Sequence, residues 1–281
     1  MPNASSWTPP SSALVFDDGI WRAMRSSPIS YPASGNDDYL QIEDRSYWFA
    51  HRVACLRAVI ESTRPPPGMF LDVGGGNGHV AAALAQDGHD VVLIEPGVGA
   101  ANARRRGLKK IIQATLQDAE LRAGSFAAAG TFDVIEHIED DVAFLHSIHR
   151  LLHPRGVLYG TVPAHPSLWS VEDDTAGHFR RYRASTLRTA LERAGFAVDF
   201  ISPFFSWLIA PIALLRALTY RLQKRRTARA PSSRTLDSDH TLPAILSAPV
   251  RSIHAWEIQR LRSRRPLPFG ASLLWAAHRP R

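Results

Sequence analysis

Residues 69–97 run Met-Phe-Leu-Asp-Val-Gly-Gly-Gly-Asn-Gly-His-Val-Ala-Ala-Ala-Leu-Ala-Gln-Asp-Gly-His-Asp-Val-Val-Leu-Ile-Glu-Pro-Gly. The opening apolar run, Met69 to Val73, reads as a buried parallel strand. Glycines follow at alternate positions, Gly74, Gly76 and Gly78, and lead into an Ala/Leu-rich helical stretch from Val80 to Ala85. A second apolar run, Val91 to Ile94, ends on Glu95. The unit is therefore strand, glycine loop, helix, strand, acid. Its physics suits a nucleoside. Glycines let ligand atoms approach the backbone, a helix N-terminus offers free N–H groups, and an acid after the second strand can accept both ribose hydroxyls.

Two nucleoside-binding plans fit these residues. Nicotinamide and flavin enzymes use G-x-G-x-x-G/A, which Gly76, Gly78 and Ala81 satisfy. Class I S-adenosyl-L-methionine (SAM) methyltransferases carry an acid before G-x-G-x-G, which Asp72, Gly74, Gly76 and Gly78 satisfy. Asp72 favours the second plan. A carboxylate beside the loop repels a pyrophosphate but suits the ammonium of SAM.

Working outward, Tyr39 to Ser62 reads as a helix with an apolar face of Tyr47, Trp48, Val53, Leu56 and Ile60, ended by Pro65-Pro-Pro-Gly68. Ala100 to Arg106 is a short helix and Lys110 to Ala114 a third strand. Phe126-Ala-Ala-Ala-Gly-Thr-Phe132 has poor strand propensity, yet small residues suit a central strand packed on both faces. Asp140 or Asp141 caps a helix ending near Leu152, with a stripe of Val142, Leu145, Ile148 and Leu152. Val157 to Val162 and Ala197 to Ile201 are further strands, with a helix over Thr186 to Ala194 between them. Ser272 to His278 is the last strand. Residues 1–36, rich in Ser, Pro, Asn and Asp, read as a loose extension with one anchored turn around Leu14–Met24 and no secretory signal.

The stretch Phe132-Asp-Val-Ile-Glu-His-Ile-Glu-Asp-Asp141, followed by Leu151-Leu-His-Pro-Arg-Gly-Val-Leu-Tyr-Gly-Thr-Val-Pro163, closely resembles the class I SAM-dependent methyltransferases. The subgroup it resembles includes quinone-biosynthesis O-methyltransferases. The resemblance covers roughly Tyr39–Ile201 and the last strand. It implies an α/β, Rossmann-like, seven-stranded, mostly parallel sheet with an antiparallel last strand and a helical insertion before that strand. It implies SAM as cofactor, with Asp72, Gly74, Gly76, Asn77 and Gly78 at the methionine end and Glu95 on the ribose. Pro96, Thr115 and Leu116 fall by the adenine, and Phe132 and Asp133 by the sulfonium. Two departures stand out. Ala127 replaces an acid frequent in the family, and the adenine loop reads Ala114-Thr-Leu-Gln-Asp-Ala119 in place of a Gly-Asp-Ala setting.

Methyl transfer to a hydroxyl needs a proton acceptor near the transfer point. His137, which directly follows the fourth strand, ranks first, with His165 and His178 on segments that also belong at strand ends. Each could instead only brace its loop. Asp133, Glu136 and His137 match positions that hold a divalent cation in some quinone methyltransferases, but no metal site is assigned. The stretch from Pro163 to Tyr182 reads as the acceptor-side wall or as an ordinary connection held by ion pairs. Adenine-N6 DNA methyltransferases carry Asn/Asp-Pro-Pro-Tyr where this chain has Asp133-Val-Ile-Glu-His137, so nucleic acid is disfavoured as the acceptor.

Composition adds bounds. One cysteine, Cys55, excludes an internal disulfide and fits a reducing compartment. The net charge of +7 is uneven: residues 1–200 carry 19 Lys and Arg against 23 Asp and Glu, whereas residues 201–281 carry 14 against 3. The expected divisions are 1–36, a SAM-binding core over 37–201, an insertion over 202–267, and the last strand over 268–281. The insertion begins with the apolar run Ser202 to Leu215, short of the ~20 residues that span a bilayer, and continues into Arg221, Lys224, Arg225, Arg226 and Arg229. An apolar run followed by cations reads as a membrane-surface element over 202–229, and a lid over the acceptor pocket reads equally well. The expected location is the cytoplasm or its membrane face, with a small-molecule, lipid-linked or glycan acceptor. An RNA methyltransferase using the basic tail and a non-catalytic SAM-binding partner protein are the alternatives.

Overall fold

The computed structural model describes residues 7–25, 27, 40, 42–208 and 244–281. Its framework is one mixed sheet in the order β1-β2-β5-β4-β3-β6-β7-β9-β8. The strands are β1 (Leu14–Asp17), β2 (Ile20–Ala23), β3 (Met69–Val73), β4 (Asp90–Ile94), β5 (Ile111–Gln113), β6 (Phe126–Phe132), β7 (Leu152–Pro163), β8 (Ala197–Phe204) and β9 (Ser272–His278). From β2 through β7 every pairing is parallel, and β9 runs antiparallel between β7 and β8. The helices are α1 (Tyr47–Thr63), α2 (His79–Gln86), α3 (Gly99–Arg105), α4 (Asp141–Leu151), α5 (Val171–Ala176), α6 (Ala184–Arg193) and α7 (Ala244–Arg262). One face of the sheet packs against α1, α2, α3 and the end of α7, and the other against α4 and α6. The expected α/β class and the antiparallel last strand are both present.

The strand count exceeds the expected seven because the N-terminal segment is a hairpin, not a loose turn. Leu14–Asp17 pairs with Ile20–Ala23 across Asp18-Gly19, whose φ angles of 44° and 79° fit a two-residue hairpin turn. β2 then extends the sheet beyond β5. The Asp-Gly pair between short apolar runs carried this signal. The first long helix starts at Tyr47, not Tyr39, because Ser46 caps it by accepting from the Trp48 N–H at 3.1 Å.

β6 lies at the centre, and all seven of its residues are buried. Its small side chains are a packing requirement: a methyl at Gly130 would meet the Phe132 ring at 2.4 Å. The neighbouring β7 has the same need at Gly160, which pairs with Trp275 of β9. A Cβ there would come within 2.0 Å of the indole. Gly160→Ala is therefore expected to cost about 1–3 kcal/mol by overpacking, read as a lower midpoint in chemical denaturation.

β8 continues to Phe204, three residues beyond the expected end at Ile201. It pairs only with β9, so Pro203 sits on an edge where its missing N–H costs nothing. Phe204 and Phe205 are fully buried core residues. The start of the run assigned to the insertion thus belongs to the sheet and core. The rest of that stretch, 209–243, lies outside the described residues, as do 1–6 and 28–39 of the extension. Among the described residues no helix is long and apolar enough to cross a membrane.

Candidate active site

A cavity of about 840 Å³ opens where β3, β4, β5 and β6 end, a size that accommodates a nucleoside cofactor together with part of an acceptor. Of the residues singled out in the sequence, Asp72, Gly74, Gly76, Asn77, Glu95, Pro96, Thr115, Leu116, Phe132, Asp133, His137 and His178 line it. Gly78 and His165 do not. Gly78 shapes the loop instead: its φ is 76°, and a Cβ would meet that of Ala103 on α3 at 2.8 Å. His165 also has a positive φ, 59°, and its Nε2 engages the Gly270 carbonyl at 3.1 Å. That bond fastens the turn after β7 to the approach of β9.

Asp72 and Glu95 face the same cavity from the ends of adjacent parallel strands. The Glu95 carboxylate spans the glycine loop, accepting from the Gly76 N–H at 3.0 Å and the Gly97 N–H at 2.7 Å. Those bonds fix the group, and a carboxylate offers about four lone-pair sites, so acceptor capacity remains for a pair of hydroxyls. Burial raises the Glu95 pKa, and the two N–H groups oppose that shift. Asp72 is 1% exposed, and neither oxygen closes a hydrogen bond of full geometry. Burial pushes its pKa up to about 7; the Arg52 charge and the Ala81 N–H pull against this, while Glu95 adds to it. A buried carboxylate so poorly paired is costly without a ligand.

The wall opposite the sheet comes from α1, which places Trp48, Phe49 and Arg52 on the cavity. Sequence reading missed Arg52, although its i+3 and i+4 spacing from the two aromatic residues was visible. Its guanidinium lies 4.8 Å from the Trp48 ring centroid and 5.1 Å from that of Phe49, and it bonds Asp133. Asp133 meets it from a positive φ of 58° just past β6, a conformation Asp tolerates better than most residues. Seven acidic side chains and two arginines line the cavity. Such an excess suits a cationic ligand and opposes a pyrophosphate.

The segment after β7 supplies the remaining wall. Ser170 and Asp173 form a capping box at the start of α5, where Asp173 Oδ2 accepts from the Ser170 N–H at 2.8 Å. The cap fixes the carboxylate so that Oδ1 receives His178 Nδ1 at 2.8 Å and Arg181 Nε at 2.7 Å. Burial alone would raise the Asp173 pKa, but these donors outweigh it and hold the group well below the usual carboxylate range. An ionised carboxylate only accepts, so His178 must donate from Nδ1. Nε2 is then the ring nitrogen available to the cavity.

His137 stands beside it, with ring centroids 4.6 Å apart. Burial first, then the neighbouring His178, lowers the His137 pKa to about 4. Glu136 is 1% exposed, its Oε2 has no partner among the described residues, and burial followed by repulsion from Asp133 raises its pKa well above normal. One donor atom each from Glu136, His137 and His178 lie within 4.8 Å of one another. No metal is assigned to this cluster.

Comparison with known proteins agrees with this geometry. A family model described as "Methyltransferase domain" matches residues 45–199, more than half of the chain. Two Mycobacterium tuberculosis proteins named as probable S-adenosylmethionine-dependent methyltransferases are 26% identical over 179 residues, covering 62% of this chain and 64% of theirs. A ubiquinone biosynthesis O-methyltransferase of Azotobacter vinelandii is 29% identical over 129 residues, 42% of this chain and 56% of that one. Among solved structures, phosphoethanolamine N-methyltransferase 2 of Haemonchus contortus, in complex with SAM, superposes with a TM-score of 0.55 at 16% identity. That match covers 90% of this chain and 58% of the other, and at such identity it speaks for the fold alone.

Proposed function

Because the chain belongs to the class I S-adenosylmethionine-dependent methyltransferase family, we propose that it methylates a hydroxyl group of a small-molecule, lipid-linked or glycan acceptor. One observation carries this reading. A single cavity is lined both by the Asp72–Glu95 pair across the glycine loop and by a histidine locked to a buried aspartate.

The residues present fit SAM, whose sulfonium supplies an electrophilic methyl group. Asp72 would face the ammonium of the methionine end, and Arg52 would pair with its carboxylate. Glu95 would hold the ribose hydroxyls, with Pro96, Thr115 and Leu116 on the adenine side. The chain's main task is to keep the acceptor oxygen in line with the methyl carbon and sulfur. His178 accepts the hydroxyl proton at Nε2, and Asp173 holds the ring in the required tautomer. His137 ranked first by sequence position, but burial makes it a weak base. It forms the side of the acceptor pocket instead.

Calorimetric titration with SAM and S-adenosylhomocysteine tests the cofactor reading. Asp72 in the free chain has a pKa of about 7. Below that pH its proton must leave before the carboxylate can pair with an ammonium. Affinity should therefore tighten as pH rises from 6 to 8, and Asp72→Asn should weaken binding and remove that dependence. Glu95→Ala should weaken both ligands by roughly 10- to 100-fold, the range for losing hydrogen bonds to a charged group. Failure to bind either compound would overturn the reading. Incubation with methyl-labelled SAM and host lipid, glycan and RNA fractions then identifies the acceptor class.

A further inference from the structure

α7 returns the chain to the sheet after residues 209–243, and it presents two different faces. Val250, Glu257 and Leu261 point inward and are buried. The outward face exposes Arg251, Ser252, Ala255, Trp256, Gln259 and Arg262, one stripe at helical spacing, and Arg264 and Arg265 follow it. Trp256 is 41% exposed, with the Arg260 guanidinium 5.5 Å from its ring centroid.

Several arginines of the fold are held by acids. Arg52, Arg57, Arg104, Arg106, Arg180 and Arg181 each meet a carboxylate. On this face Arg262 pairs with Glu61 at 3.2 Å, but Arg251, Arg264 and Arg265 have no ion pair among the described residues. The one acid of α7, Glu257, is turned into the core. The helix thus carries uncompensated positive charge around an exposed indole.

We propose that the outer face of α7 and the turn after it dock on an anionic lipid surface, with Trp256 entering the headgroup layer and Arg251, Arg264 and Arg265 facing lipid phosphates. Charge complementarity selects the anionic surface. A lone indole on a convex helix favours a bilayer over single-stranded nucleic acid, which is held in a groove lined by successive aromatic side chains. Chain continuity agrees. Trp207 Nε1 donates to His254 Nε2 of α7 at 3.0 Å, so the described chain reaches Leu208 beside this helix.

The test uses the full chain in sedimentation with vesicles of phosphatidylcholine alone or with about a third phosphatidylglycerol. The expected result is binding only to the anionic vesicles, weakened by raised salt. Trp256→Ala and the combined Arg251→Glu, Arg264→Glu, Arg265→Glu variant should each lower partitioning about tenfold or more. Thermal midpoints and S-adenosylhomocysteine affinity should stay at the wild-type values, since none of these residues lines the cavity. Undiminished vesicle binding by both variants, no vesicle binding by the wild type, or preferential retention on RNA would each overturn the proposal. None of these outcomes depends on the acceptor being methylated.

Discussion

His178→Ala is expected to lower methyl transfer by roughly 10²- to 10⁴-fold, the range for removing a positioned proton acceptor, with SAM affinity within a factor of about three of wild type. The size follows from how fully the ring is prepared. Its Nδ1 is committed to an aspartate held well below the usual carboxylate range, which leaves Nε2 as the ring nitrogen that faces the cavity. The capping box at Ser170 and the bond from Arg181 hold that aspartate in turn. Asp173→Asn should reproduce much of the loss, because a side-chain amide can donate as well as accept and no longer dictates the tautomer. His137→Ala should cost less, since a ring whose pKa lies near 4 is a poor base in the wild type. The measurement is the initial rate of label transfer from methyl-labelled SAM into the extract fraction that accepts it. Equal rates for His178→Ala and wild type would sink the assignment while leaving cofactor binding untouched. Loss of binding in calorimetry would point to a collapsed pocket.

Residues that act through their own stretch of chain were legible. Asp72, the glycine loop and Glu95 form one contiguous unit, and the structure sets them around one cavity. The Ala-rich β6 could be placed at the centre because small side chains have a clear physical use there. What stayed hidden was every pairing made between distant segments. Arg52 meets Asp133 across 81 positions of sequence, and no local pattern announces that bond. The surroundings of the histidines stayed hidden for a related reason. Distance from β6 along the chain favoured His137, but basicity depends on burial and on the partner behind the ring, which Asp173 provides only to His178. Two local signals were present and unread: the Asp18-Gly19 hairpin turn and the Ser170-Val-Glu-Asp173 capping box.

The second large effect is on stability, at a buried cluster away from the cavity. Glu257→Ala should destabilise the fold by about 3 kcal/mol or more, because several buried donors lose this acceptor at roughly 1–3 kcal/mol each. The carboxylate is fully buried and receives four donors: His51 Nε2 at 2.7 Å, the Phe205 N–H at 3.1 Å, the Ser206 N–H at 2.6 Å, and the Ser206 hydroxyl. Alanine leaves all four facing a cavity at the junction of α1, the end of β8 and α7. His254, stacked on His51 at 3.5 Å, gives no relief: burial lowers its pKa to about 4, and its Nε2 already accepts from Trp207. Glu257→Gln should lose less, because it keeps the shape and one acceptor oxygen. The pH dependence separates the charge from the packing. Burial alone would raise the Glu257 pKa, but the His51 and Ser206 bonds outweigh it, so the folded value lies below the unfolded one. The folded state then binds fewer protons, and the stabilisation is complete above the ordinary Glu range and fades as pH falls through the lowered value. Denaturation midpoints from pH 7 to pH 3 should therefore drop more steeply for wild type than for Glu257→Gln. The damage should also reach the cofactor wall, since His51 adjoins Arg52 on α1. A variant that melts at the wild-type temperature would show that this cluster is not what holds α7 to the domain.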